Sequence, residues 1–255
     1  MVHRPWTRDE EIIVFNLYCK IPFQQSSKNH PSVIQTAALI GRTPSAVNMK
    51  IGNFGSFDET LRRKGIVGLT NASKMDRQIW EEFSGKWDEL AFESEKLIAQ
   101  LQGKSMEAEI EAIGIPIGLT RNATVKQRVN QGFFRKAVLA AYGSTCCITG
   151  LSNRSLLIAS HIKPWADSSE TEKTNPCNGL CLNALHDRAF DQGFLTITPD
   201  YSIHISSSLS DACDGRTIES FFRCYEKKRI SVPEKFAPEK SFLQYHNDVI
   251  FEHWK

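Results

Sequence analysis

Between Leu156 and Gly193 the apolar pattern changes in an order that few architectures accept. "LLIASHIKPW" reads as a short β-strand, "ADSSETEKTNP" as a long turn region, "CNGLCLN" as a second strand and "ALHDRAFDQG" as a helix. That order puts His161 at the end of the first strand, Asn178 at the turn into the second, and His186 on the helix. Singly, each residue has a duller reading. A histidine beside an apolar strand is more often structural, and Asn-Gly is most often a turn signal. Their succession within a β, β, α frame is the specific part. Phosphodiester hydrolysis needs a base to take a proton from water, a cation to offset charge on the phosphate, and a scaffold that holds both at contact distance. A histidine, with a free pKa of about 6.5, suits the first role.

The flanking segments frame this unit. Upstream, "NQGFFRKAVLAAYGS" predicts a helix over about 132–142, followed by the β-prone "CCITG"; downstream, "FLTITPDYSIHIS" reads as a hairpin. The first hundred residues read as helical. Thr7 and Glu10 have capping-box spacing ahead of a helix ending near Lys20, Pro31 opens a second helix that Gly41 closes, and Thr43 with Pro44 starts a third whose Val47, Ile51 and Phe54 are spaced for burial. The pair joined at "GRTP" fits a helix-turn-helix whose second helix offers Ser45, Asn48, Met49 or Lys50 to a DNA groove, and fits two packed helices of a small all-α domain nearly as well. The stretch 55–70 is a small wing or a loop, and two more helical patterns follow at 71–83 and 86–101. A junction is expected between Gly103 and Gly118, giving a helical domain at 1–103, a linker at 104–127 and a second domain at 128–255.

The second half resembles the HNH endonuclease superfamily. The resemblance rests on four ordered motifs: Cys146 to Gly150, Ala159 to Trp165, Asn178 to Leu182, and Leu185 to Gly193. "SFLQYHNDVIFEH" is similar to that family's tail. The resemblance implies an α+β chain, with a mainly helical, helix-turn-helix or winged-helix-like domain ahead of a ββα-metal nuclease domain. It implies that His161 is the general base, that Asn178 pins the loop beneath it, and that His186 binds a divalent metal, Mg²⁺ or Mn²⁺, from the helix. One nitrogen cannot complete such a site, so Asp187 and Asp191 are further candidate ligands; Asp191 is favoured because it stays nearer the face of His186, and it fits equally well as a structural acid at the helix end. Ser160 stands where many of these nucleases carry a metal-binding Asp or His. Trp165 reads more as packing than as a stacking platform. The first domain is similar to modules found ahead of HNH domains in bacterial restriction-type endonucleases, some of which act on DNA containing 5-methylcytosine or 5-hydroxymethylcytosine.

Charge refines the expected partner. The net charge of +2 is uninformative, but Arg121 to Lys136 holds five basic residues and no acid. Lys126, Arg128, Arg135 and Lys136, with Lys163 and Arg188, are the candidate contacts to double-stranded DNA. Seven cysteines, an odd number without C-x2-C spacing, fit free thiols in a reducing compartment and give no expectation of a structural zinc. Acids near the start and the lack of a long apolar run point to the cytoplasm and to no membrane partner. A homodimer on DNA is one route to a double-strand cut, and successive nicking by a monomer is another. The competing function is a non-cleaving DNA-binding regulator with a decayed nuclease fold.

Overall fold

The computed structural model describes residues 4–104, 121–211 and 215–251. The expected junction and most of the 104–127 linker lie outside the described residues, as do Cys213 and the end of the family-like tail. Helix α1 (Arg8–Lys20) starts at Thr7, whose capping box with Glu10 is formed. Every residue from Glu10 to Cys19 is buried, because α2 (Pro31–Ile40), α3 (Pro44–Gly55), α5 (Lys74–Phe83) and α6 (Trp87–Leu101) all pack on α1. Gly41 closes α2 in the left-handed conformation, at φ 65°. The stretch 55–70 forms no strand pair; it is a loop carrying the short α4 (Glu59–Arg63).

Lys50 departs from the reading as a groove contact. It falls on the same helical stripe as Val47, Ile51 and Phe54, and is 4% exposed. Its ammonium donates to Glu11 at 2.8 Å and to Asp76, which Asn53 also contacts at 2.8 Å. Burial raises Glu11 to about 7, whereas on Asp76 burial is outweighed by the Lys50, Ser73 and Asn53 hydrogen bonds and the net direction is down. This cluster ties α1, α3 and α5 together from within.

Helix α7 (Arg121–Ala141) begins eleven residues before the predicted Gly132. It packs on α1 and α6 on one side and on the nuclease-like half on the other. A continuous apolar core therefore runs through both halves. Trp87 joins them, stacked on Phe133 at 6.5 Å and edge-on to Phe236 at 5.3 Å. The segment 231–236 forms a strap across the same boundary. Lys64 donates to the Pro233 carbonyl, Glu234 accepts from the amides of Phe23 and Gln24, and the fully buried Lys235 donates to the carbonyls of Tyr18 and Ile21.

Strands β1 (Leu157–His161) and β2 (Gly179–Asn183) pair antiparallel, with His161 opposite Gly179. Helix α9 (Ala184–Asp191) follows, capped by Asn183, and the hairpin of β3 (Leu195–Ile197) and β4 (Ile203–Ile205) forms as expected. Two details differ from the sequence reading. Cys146 to Gly150 is a set of turns, and the long turn region contains α8 (Glu170–Thr174), started by a capping box of Ser169 with Glu172. Of the C-terminal helices, α10 (Gly215–Phe221) meets α9 where the Phe221 carbonyl faces His186, and the turn that follows α11 (Lys240–Tyr245) packs on β3. Among the described residues no helix is long and apolar enough to cross a membrane.

Gly179 is fixed by close approach. A Cβ there would stand 2.4 Å from Val138 Cγ2 and 3.0 Å from Phe134 Cζ, both buried side chains of α7. Gly179→Ala is expected to destabilise the fold by about 1–3 kcal/mol through overpacking, read as a lower urea midpoint. An unchanged midpoint would mean that α7 sits farther from β2.

Candidate functional site

Three contacts orient the His161 ring. Its face stacks on Phe134, with centroids 3.8 Å apart at 10°, and Trp165 meets it edge-on at 5.5 Å. The third contact joins Nε2 to the Lys173 carbonyl oxygen at 3.0 Å. A carbonyl only accepts, so Nε2 carries the proton and Nδ1 is left with a free lone pair. Burial lowers the pKa of His161, and the carbonyl contact recovers part of that shift. The ring is neutral near pH 7 and competent to accept a proton.

Asn178 is fully buried beneath this arrangement. Its Oδ1 accepts from the Lys163 amide at 2.8 Å, and its Nδ2 donates to the carbonyls of Lys163 and Glu172 and to the Ser168 hydroxyl. It therefore fastens both ends of the 163–172 loop, which delivers the Lys173 carbonyl to His161. Lys163 is held within the loop as well, paired with Glu172 at 2.8 Å.

His161 borders a hollow of about 350 Å³ that is also lined by Ser160, Trp165, Asp187, Asp191 and His246. Burial raises the pKa of both aspartates, and Asp187 raises Asp191 further by charge repulsion, while Arg188 offsets part of each shift. The Ser160 hydroxyl, buried and without a well-formed hydrogen bond, lies near enough to Asp187 to draw it partly back down. His246 is scaffolding: it stacks on Phe190 at 3.7 Å, bonds Thr196 and the Phe190 carbonyl, and is lowered by burial to about 4. Two mutually repelling carboxylates with a spare hydroxyl form an oxygen-rich corner that suits a hard divalent cation. Among the described residues, no three His, Cys, Asp or Glu side chains are grouped to enclose a metal.

His186 is not part of this hollow. It is 2% exposed, with Nε2 on the Phe221 carbonyl at 2.8 Å, Nδ1 against Asn183, and Phe222 and Tyr225 edge-on to its ring. Both ring nitrogens are committed to the protein, which corrects its placement as a ligand facing His161. The physical reason is helical phase. His186, Ala189 and Phe190 form the buried stripe at i, i+3 and i+4, so Asp187 and Asp191 share the flank turned toward β1.

The basic residues separate into two groups. Arg128, Gln131 and Arg135 lie along one side of α7, and the last two border a second hollow of about 300 Å³ shared with His161 and Trp165. Arg135 donates to the Leu157 carbonyl at 3.0 Å, and Arg188 is exposed beside the aspartates. Lys126 is instead paired with Asp88 at 3.1 Å, and Lys136 faces the first half of the chain. In α3, Ser45 and Met49 are exposed, and Asn48 is half-buried with an unpartnered Oδ1.

Sequence comparison agrees with this geometry. Residues 146–198, which run from the turns after α7 to the end of β3, match the family model described as HNH endonuclease. No curated protein matches the chain.

Proposed function

We propose that this HNH endonuclease segment is a working, divalent-metal-dependent DNA nuclease, with His161 as general base and Asp187 and Asp191 as the side chains that hold Mg²⁺ or Mn²⁺. The observation that carries the reading is the shared hollow: a neutral imidazole with a free Nδ1 borders the same cavity as two carboxylates whose charges repel. When bound, the cation supplies positive charge to the scissile phosphate. His161 takes the proton from the attacking water. Lys173 holds the resulting imidazolium through Nε2, and Asn178 keeps that carbonyl in place. Arg135, Arg128 and Arg188 meet the flanking phosphates, leaving 5′-phosphate and 3′-hydroxyl ends. The helical half, through Ser45, Asn48 and Met49 of α3, positions the duplex.

A restriction role fits a nuclease joined to a helical DNA-positioning half. Discrimination of 5-methylcytosine or 5-hydroxymethylcytosine, and pairing of two copies for double-strand cleavage, are finer parts of the same proposal. The test is nicking of supercoiled plasmids, unmodified or carrying either modified base, with Mg²⁺ or Mn²⁺ and with chelator. Metal-dependent nicking supports the nuclease. DNA binding without cleavage on all three plasmids would favour the non-cleaving regulator.

Because burial depresses His161, the base stays neutral to below the ordinary histidine value of about 6.5. Single-turnover cleavage should stay flat through pH 6.5 and fall about tenfold per pH unit only below the lowered pKa of His161. An inflection on the alkaline side of pH 7 would assign the base to another group.

A further inference from the structure

The two hollows that border His161 share Ala159, His161 and Trp165, so they are two lengths of one trough. One end is the corner of Ser160, Asp187 and Asp191. The other is bordered by Gln131 and Arg135 of α7, and Arg135 is exposed and has no ion pair among the described residues. A carboxylate corner carrying a cation and an arginine each suit a phosphate. What separates successive phosphates along a strand is a sugar. A strand lying in the trough with a phosphate at each end therefore sets a sugar at its middle, where the wall is Trp165 and Ala159 beside the His161 ring.

Trp165 is built to do more there than pack. It opens a tight turn (Trp165–Asp167) directly after Pro164, the Lys173 ammonium stands over its ring at 5.2 Å, and His161 meets it edge-on. These contacts fix the indole yet leave it half-buried, with surface on both lengths of the trough. A side chain already held in place loses little freedom on binding. The C–H surface of a deoxyribose is the part of the strand backbone that gains from leaving water against an aromatic wall. Resting on the reading of His161, Asp187 and Asp191 as the cleavage site, we propose that Trp165 is a substrate-contact residue, the seat of the deoxyribose that joins the scissile phosphate to the phosphate at Arg135.

Single-turnover cleavage of a short labelled duplex with a mapped cut, titrated with the full chain in Mg²⁺ or Mn²⁺, separates the half-saturating protein concentration from the plateau rate. The unit on either side of the cut is replaced in turn by a tetrahydrofuran abasic unit, which keeps the sugar ring and drops the base, or by a three-carbon spacer, which drops both. Trp165→Leu is expected to raise the half-saturating concentration about tenfold on the intact and abasic duplexes and less than about twofold on the spacer duplex at one of the two positions, whatever it does to the plateau rate through His161. Trp165→Phe, which keeps an aromatic wall, should stay within about threefold of the parent. Should Trp165→Leu not fold, the parent protein still decides: at that position the spacer should weaken saturation about tenfold and the abasic unit less than about threefold. An abasic unit that costs as much as the spacer would assign the contact to a base. A Trp165→Leu effect confined to the plateau rate, or equal on all duplexes, would leave Trp165 as a support of the His161 ring, and each of these results overturns the proposal while cleavage itself stands. No cleavage of the intact duplex by the parent overturns the nuclease reading, and this proposal with it.

Discussion

Replacing His161 with alanine is expected to lower DNA cleavage by about 10²–10⁴-fold while leaving a folded protein that still binds DNA. The range is that of a positioned general base, and three supports on the ring favour its upper part: the Phe134 face, the Trp165 edge and the Lys173 carbonyl. Alanine removes the imidazole without touching the Asn178 hydrogen bonds, so the 163–172 loop keeps its anchor. The rate is read from single-turnover nicking and the fold from circular dichroism. Wild-type nicking by the variant would remove the proposed chemistry altogether.

Converting Asp187 and Asp191 together to asparagine should abolish cleavage at any Mg²⁺ or Mn²⁺ concentration, and either change alone should raise the metal concentration needed for half-maximal rate. Asparagine keeps the volume and removes the charge. Because the two carboxylates are raised by burial and Asp191 is raised further by Asp187, the double variant should unfold no more easily than the parent without metal. His186→Ala provides the contrast. Its ring fills a buried site between Asn183 and Phe221, so its loss should lower the melting temperature and leave the metal requirement of the remaining folded fraction unchanged. A double asparagine variant with wild-type metal dependence would move the cation elsewhere.

Local chemistry made much of the fold legible beforehand. Thr7 with Glu10, Gly41 and Thr43 mark helix ends through side-chain or backbone hydrogen bonds that a neighbouring segment can supply alone, Pro31 marks one through its fixed φ and missing N–H, and the structure contains them. The succession of β1, β2 and α9 was legible for the same reason. Helical phase against a neighbour was not. Moving one residue along α9 turns a side chain by about 100°, and that turn separates His186 in the core from Asp187 in the hollow. Lys50 shows the converse: its place on the Val47, Ile51 and Phe54 stripe was visible, but a lysine is expected inside only when paired, and its partners lie on α1 and α5. The Ser169 and Glu172 capping box was a legible sign of α8 within a stretch read as loop. The shared core was illegible because an apolar pattern says which face is buried and not what buries it.

The strap at 231–236 bears on how this protein could exchange its first half for another. Exchanging its first hundred residues for an unrelated domain would leave the Lys235 ammonium without the Tyr18 and Ile21 carbonyls, and Glu234 without its two amides. An orphaned buried charge costs several kcal/mol, a large fraction of the stability of an ordinary domain. Evolution, or an engineer, is thereby steered away from cut-and-paste recombination and toward point changes on the outer surface of a scaffold inherited whole.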